Sequence, residues 1–190
     1  DDSLEVRLRR LPALVEALNQ NPAMSAVYVG YDDGDFFLVR PLGSDETQRK
    51  NINAPANAAY LVQSVDHEAN APARGKFIYL DRELKNVLTI ERPDYTFDPH
   101  QREWYKRARD ADYQIKTAPY VYFTTRETGI TFARQGRNAV VGTDVTLTEV
   151  SGLLRRQKIT PSAELVLFAN LATMLWSSPA LAIPIVYPFF

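Results

Sequence analysis

Phe97-Asp98-Pro99-His100-Gln101-Arg102-Glu103-Trp104-Tyr105 is the stretch whose reading decides this chain. Asp98 can cap a helix, Pro99 suits the first helical position, and Gln101, three residues after Asp98, completes a capping box. The spacing therefore predicts a helix from Asp98 to about Asp110. Arg102, Trp104 and Tyr105 crowd its first turns. A guanidinium offers a planar fork to a carboxylate, and Trp and Tyr supply apolar walls with polar tips, a composition common in small-molecule pockets. The plainer alternative makes Trp104 and Tyr105 core aromatics and Arg102 a surface charge.

Upstream, Leu4, Leu8, Leu11, Val15 and Leu18 form an amphipathic stripe that predicts a helix over 3–19, with Arg7, Arg9, Arg10 and Glu16 on other faces. Pro12 bends that helix unless the regular part begins there. Residues 24–31 and 35–40 read as a hairpin around Asp32-Asp33-Gly34, residues 41–57 as a loop, and 58–66, 76–80 and 86–91 as strands. Downstream, strands are expected over 115–123, 130–134 and 138–145, with Tyr122, Phe123 and Phe132 as core residues. Thr146-Leu147-Thr148-Glu149 then opens a second capped helix. Short antiparallel strands around a middle helix, behind an amino-terminal helix, give an α+β domain with a central antiparallel sheet.

Composition narrows the function. Of 190 residues, 45% are hydrophobic and 24% charged, the balance of a folded domain. The net charge is −1, from 22 basic and 23 acidic side chains, so no strong field draws nucleic acid or an anionic membrane. There is no cysteine, and His67 and His100 are the only histidines, which leaves no thiolate metal site, no cysteine nucleophile and little basis for a histidine-based metal site or triad. No glycine-rich phosphate loop appears. Neither a catalytic residue nor a cofactor is expected. No apolar run spans a bilayer and no export signal opens the chain, so any membrane anchors are expected outside this sequence.

The segment 97–105 resembles the YDPRQRPWY-type signature of double Cache sensor domains, found outside the membrane in bacterial chemoreceptors, histidine kinases and cyclic-nucleotide or cyclic-di-nucleotide enzymes. Ala118-Pro119-Tyr120, Gly129-Ile130-Thr131-Phe132-Ala133-Arg134 and Val140-Val141-Gly142-Thr143-Asp144-Val145 follow in matching order. Residues 160–168 resemble the junction at which a membrane-proximal module begins. The resemblance implies a PAS-like, membrane-distal Cache module over 23–160, an amino-terminal signalling helix over 1–22 and a partial membrane-proximal module over 161–190. Strand-like segments at Glu164–Phe168 and Leu181–Val186 fall within that last part.

By position, Arg102, Trp104, Tyr105, Tyr120 and Asp144 match residues that face the ligand in the amino-acid-binding branch of the family. Phe97 stands where that branch carries Tyr, and Glu103 replaces its usual Pro. The implied protein is a periplasmic sensor, anchored in the inner membrane, that binds a small carboxylate without chemical change and dimerises through its amino-terminal helix. An amino acid or amine-type zwitterion is the favoured ligand and another organic acid the alternative. A ligand-independent module for dimerisation or for docking a periplasmic protein is the reading from another class. A cytoplasmic kinase, cyclase or phosphodiesterase would carry the output.

Overall fold

The computed structural model describes residues 3–67 and 73–156. The described residues up to 151 belong to one compact unit. The partial module expected over 161–190, with its strand-like segments at Glu164–Phe168 and Leu181–Val186, lies outside the described residues.

The amino-terminal stripe folds as two helices, α1 (Leu4–Arg9) and α2 (Leu11–Gln20), rather than one long rod. Arg10 ends the first and caps the second, which places Pro12 in the first turn of α2, where its missing N–H breaks no helical bond. Leu11, Val15 and Leu18 are buried while Pro12, Ala13 and Glu16 are exposed, so α2 lies on the sheet by one face. Each of these three side chains contributes about 1.5–3 kcal/mol by leaving water.

Among the described residues nine strands build one antiparallel sheet: β1 (Ala26–Tyr31), β2 (Phe36–Pro41), β3 (Tyr60–Asp66), β4 (Arg74–Leu80), β5 (Asn86–Arg92), β6 (Ile115–Lys116), β7 (Tyr120–Val121), β8 (Thr128–Gln135) and β9 (Ala139–Thr146). Their order is β5-β4-β3-β2-β1-β9-β8-β6, with β7 also paired to β8. The expected hairpin is β1–β2, and Gly34 at φ +93° supplies the left-handed residue of its turn. Strand β2 is buried from Phe36 to Arg40 because both faces are covered. Phe37, Val39, Val62 and Ile78 meet α2 on one side, whereas Tyr28, Phe36, Leu38 and Leu61 meet Tyr95, Phe97, Trp104 and Tyr105 on the other.

Three local expectations need correction. The helix starting at Asp98 is a 3-10 turn (Pro99–Gln101), capped by Asp98 Oδ1 on the His100 N–H at 2.9 Å. Arg102 is then extended at φ −92° and ψ 139° before α4 (Glu103–Arg109) begins. The strand read over 115–123 is two short pieces, β6 and β7, because Pro119 has no N–H to give. At the break Thr117 Oγ1 takes the Thr131 N–H at 2.9 Å in place of a ladder carbonyl. The loop 41–57 contains α3 (Glu46–Asn51), capped by Asp45 Oδ1 accepting from the Thr47 and Gln48 N–H groups. The second capped helix forms as expected: in α5 (Leu147–Arg156) Thr146 Oγ1 accepts the Glu149 N–H at 3.1 Å while the Glu149 carboxylate reaches back to Thr146.

Candidate ligand-binding site

The extended backbone at Arg102 positions the site. It separates the 3-10 turn from α4, so that Trp104 and Tyr105 enter the sheet face side by side while Arg102 stays half-buried at the edge. Trp104 can come this close because Gly30 lies beneath it: a Cβ on Gly30 would stand 2.9 Å from Trp104 Cη2 and 2.8 Å from Pro99 Cβ. Trp104, Tyr28, Phe36, Phe97 and Tyr95 then form a continuous aromatic wall, with Trp104 and Tyr28 centroids 4.9 Å apart and Phe36 and Phe97 centroids 4.3 Å apart.

This wall, Arg40, Arg102, Asp144 and the segment Tyr120–Thr124 border a cavity of about 30 Å³, the space of about one water molecule. Five of the six residues singled out from sequence border it: Phe97, Arg102, Trp104, Tyr120 and Asp144. Tyr105 is not on its border. Its hydroxyl donates to Asp32 Oδ1 at 2.9 Å, in the β1–β2 turn, and its ring packs edge-on against His100. Of the residues expected in the core, Tyr122 is buried whereas Phe123 is 43% exposed because it lies in the turn that follows the short strand β7; both border the cavity.

Asp144 is the polar centre. It sits opposite Thr131 on β8 and Ala26 on β1 and is 5% exposed. Its Oδ1 accepts from Thr131 Oγ1 at 2.6 Å and from the Tyr28 hydroxyl at 2.7 Å. The Thr131 hydrogen being committed to Asp144, the Tyr120 hydroxyl is the donor in its 2.7 Å contact with Thr131 Oγ1. Among the described residues no hydrogen bond falls on Asp144 Oδ2.

Burial pushes the Asp144 carboxyl above its ordinary range, against the pull of the Thr131 and Tyr28 hydrogen bonds and of the Arg40 and Arg102 charges. Burial, and then the neighbouring Asp144 charge, raise Tyr28 well above the usual phenol value and Tyr120 to about 12. Both phenols therefore keep their protons at neutral pH and act as donors.

Two arginines supply the opposite charge. The Arg102 guanidinium lies 5.6 Å from the Phe97 ring centre and 5.8 Å from that of Phe123, and makes no ion pair among the described residues. Arg40, on the cavity-facing side of β2 with Phe36 and Leu38, was not singled out from sequence. A charged residue that ends an apolar strand is usually exposed, yet Arg40 is 7% exposed and its Nε is buried without a hydrogen-bond partner. A larger groove of about 670 Å³ runs along α1 and is lined by Arg7, Asp35, Asp66, Arg74, Lys76 and Glu91, among others. There Arg7 is ion-paired with Asp35 and Asp66, although its Nε is buried without a partner, Lys76 pairs with Glu91 at 3.1 Å, and no aromatic ring borders the groove. The smaller cavity differs in joining aromatic walls to two arginines that make no ion pair among the described residues, a composition common in small-molecule sites.

No family model matches the chain. It is 29% identical over 154 residues to adenylate cyclase 1 of Rhizobium meliloti (strain 1021), an alignment that covers 80% of this chain and 23% of that relative. The chain thus spans about a quarter of the curated relative it matches. Among solved structures it is similar to the ligand-binding domain of Campylobacter jejuni chemoreceptor Tlp3 in complex with L-valine, with TM-score 0.48 and 16% identity over 80% of this chain and 46% of that one. It is also similar to the ligand-binding domain of the Pseudomonas aeruginosa PAO1 amino-acid chemoreceptor PctC in complex with GABA, with TM-score 0.33 and 18% identity over 82% and 58%. The extracellular domain of the putative histidine kinase mmHK1S-Z2 is similar at TM-score 0.35 and 21% identity, over 76% and 48%. Among the described residues no helix is long and apolar enough to cross a membrane.

Proposed function

We propose that this chain is the extracytoplasmic ligand-sensing module of a double Cache membrane receptor, and that it binds a small amino-acid or amine-type carboxylate. The observation that carries this reading is the pairing of Arg102 with Asp144 on the border of one aromatic-walled cavity. The guanidinium suits a carboxylate, and the Asp144 carboxylate, with Oδ2 unbonded, suits an ammonium. Trp104 and Phe97 exclude water between them, which strengthens both contacts.

The cavity is water-sized in this conformation, so an amino acid enters as Tyr120–Thr124 moves outward. That segment carries exposed Val121 and Phe123, and its movement breaks the two residue pairs of β7 together with the hydrogen bonds of the Tyr120 and Tyr122 hydroxyls and of Thr124 Oγ1 to the sheet. Its ordering around a ligand gives two conformations of unequal affinity, the requirement for a signal. The likeness to part of an adenylate cyclase favours a cyclase as the output of the intact receptor.

A thermal-shift screen of amino acids, amines and organic acids tests the reading, because a ligand of the native state raises Tm by RT ln(1 + [L]/Kd) of added stability. A carboxylate-bearing hit whose shift vanishes in Arg102→Ala supports it. A flat response across the screen favours a ligand-independent docking or dimerisation module instead.

A further inference from the structure

The site holds one charge more than a simple amino acid can use. Arg40 projects from the third cavity-facing position of β2, after Phe36 and Leu38, and pairs across the ladder with Leu61. It is more than nine-tenths buried, borders the cavity, and its Nε has no hydrogen-bond partner. Among the described residues no carboxylate lies within ion-pair distance of it, whereas buried Arg7 holds Asp35 and Asp66 with its two terminal nitrogens. A buried guanidinium without a partner is costly, and the cost is recovered when an anion binds it.

We infer that the ligand is an acidic α-amino acid, whose α-carboxylate meets Arg102, whose ammonium meets Asp144 and whose side-chain carboxylate meets Arg40. This rests on the reading of the cavity as a ligand site. The charges bordering the cavity are Arg40, Arg102 and Asp144, a sum of +1 with the carboxylate ionised. A neutral zwitterion leaves one guanidinium without an ion-pair partner, since Glu149, the nearby carboxylate that feels the Arg40 charge, lies beyond ion-pair distance and off the cavity border. An amine adds to it. A plain dicarboxylate satisfies both arginines but puts its charge against Asp144, which then has no cation to hold. A ligand with two carboxylates and one ammonium pairs every charged group, and both arginines can present their forks to carboxylates.

Isothermal titration of the chain with L-glutamate, L-aspartate, L-valine and succinate at neutral pH tests the inference, run in parallel on Arg40→Gln and Arg40→Lys, with circular dichroism to confirm folding. Acidic amino acids are expected to bind about thirtyfold or more tightly than L-valine and tighter than succinate. Arg40→Gln collapses that ratio toward one, and Arg40→Lys, which keeps the charge and loses the fork, retains part of it. L-valine binding as tightly as L-glutamate, succinate binding as tightly as either acidic amino acid, or a preference that survives Arg40→Gln overturns the inference while leaving the cavity as a ligand site. Absence of binding by all four compounds overturns the inference, and a flat response across the wider screen of amino acids, amines and organic acids overturns the reading of the cavity as a ligand site.

Discussion

Thr131 Oγ1 donates to Asp144 Oδ1 at 2.6 Å from the directly opposite position of the neighbouring strand, so the carboxylate is held by the sheet itself and not by a loop. Burial still dominates, and it raises the Asp144 pKa above the unfolded value. A group raised in this way adds stability below its unfolded pKa and withdraws it as pH climbs through the folded one. Asp144→Asn keeps an acceptor for Thr131 and Tyr28 but carries no charge. It should therefore melt at least about 2 °C above the parent at pH 7 without ligand. The gain should shrink toward zero as pH falls to about 4, and calorimetric scans of both proteins across that window check it.

Binding should separate the two ends of the cavity. Arg102→Ala removes a guanidinium that makes no ion pair among the described residues, so the fold should survive while a carboxylate ligand loses about 2–5 kcal/mol of affinity. Asp144→Asn should weaken an ammonium-bearing ligand by about 2 kcal/mol or more and barely affect a plain carboxylate. Titration of both variants with one amino acid and its deaminated analogue distinguishes these outcomes.

Tyr28 reaches Asp144 only because Gly142, its partner across β1 and β9, has no side chain. A Cβ there would collide with the Tyr28 ring. Gly142→Ala should displace the phenol from the carboxylate and cost about 1–3 kcal/mol by overpacking. Urea unfolding gives the stability loss, and loss of ligand binding alongside it would mark Tyr28 as a support of the site.

Much of this arrangement is legible in the sequence. β-Branched and aromatic runs on either side of Asp32-Asp33-Gly34 predict the β1–β2 hairpin, and the resemblance to the Cache signature groups Phe97, Arg102, Trp104, Tyr120 and Asp144, which border one cavity. What stayed hidden depended on which face of an element is covered. Tyr105 and Trp104 are adjacent in sequence, yet one turns to Asp32 and the other to the cavity, a division set by the extended backbone at Arg102. Nothing in the sequence marks Arg40 as buried, because the run Phe36-Phe37-Leu38-Val39 does not alternate and so does not say which faces are covered; β2 has no solvent side until its edge. The helix α3 was passed over although Asp45 and Gln48 have capping-box spacing, since six polar residues carry no apolar stripe.

Arg7 is the other buried charge that periodicity put on the surface, and its consequence is for stability. Helix α1 has six residues, too few to persist on its own. Arg7 fastens it to the sheet: Nη1 donates to Asp66 Oδ1 at 2.7 Å, Nη2 pairs with Asp35, and the guanidinium lies 4.6 Å from the Tyr31 ring centre. Asp35 in turn accepts the His67 N–H at 2.6 Å, so one side chain links α1, the β1–β2 turn and the end of β3. Arg7→Ala strands two partly buried carboxylates and should destabilise the fold by about 3 kcal/mol. Arg7→Lys should recover less than half of that, because an ammonium cannot bridge both carboxylates with a fixed fork. Urea unfolding of parent, Arg7→Ala and Arg7→Lys measures the order, and equal stability of the lysine variant and the parent would show that charge alone, without the bidentate geometry, holds α1 in place.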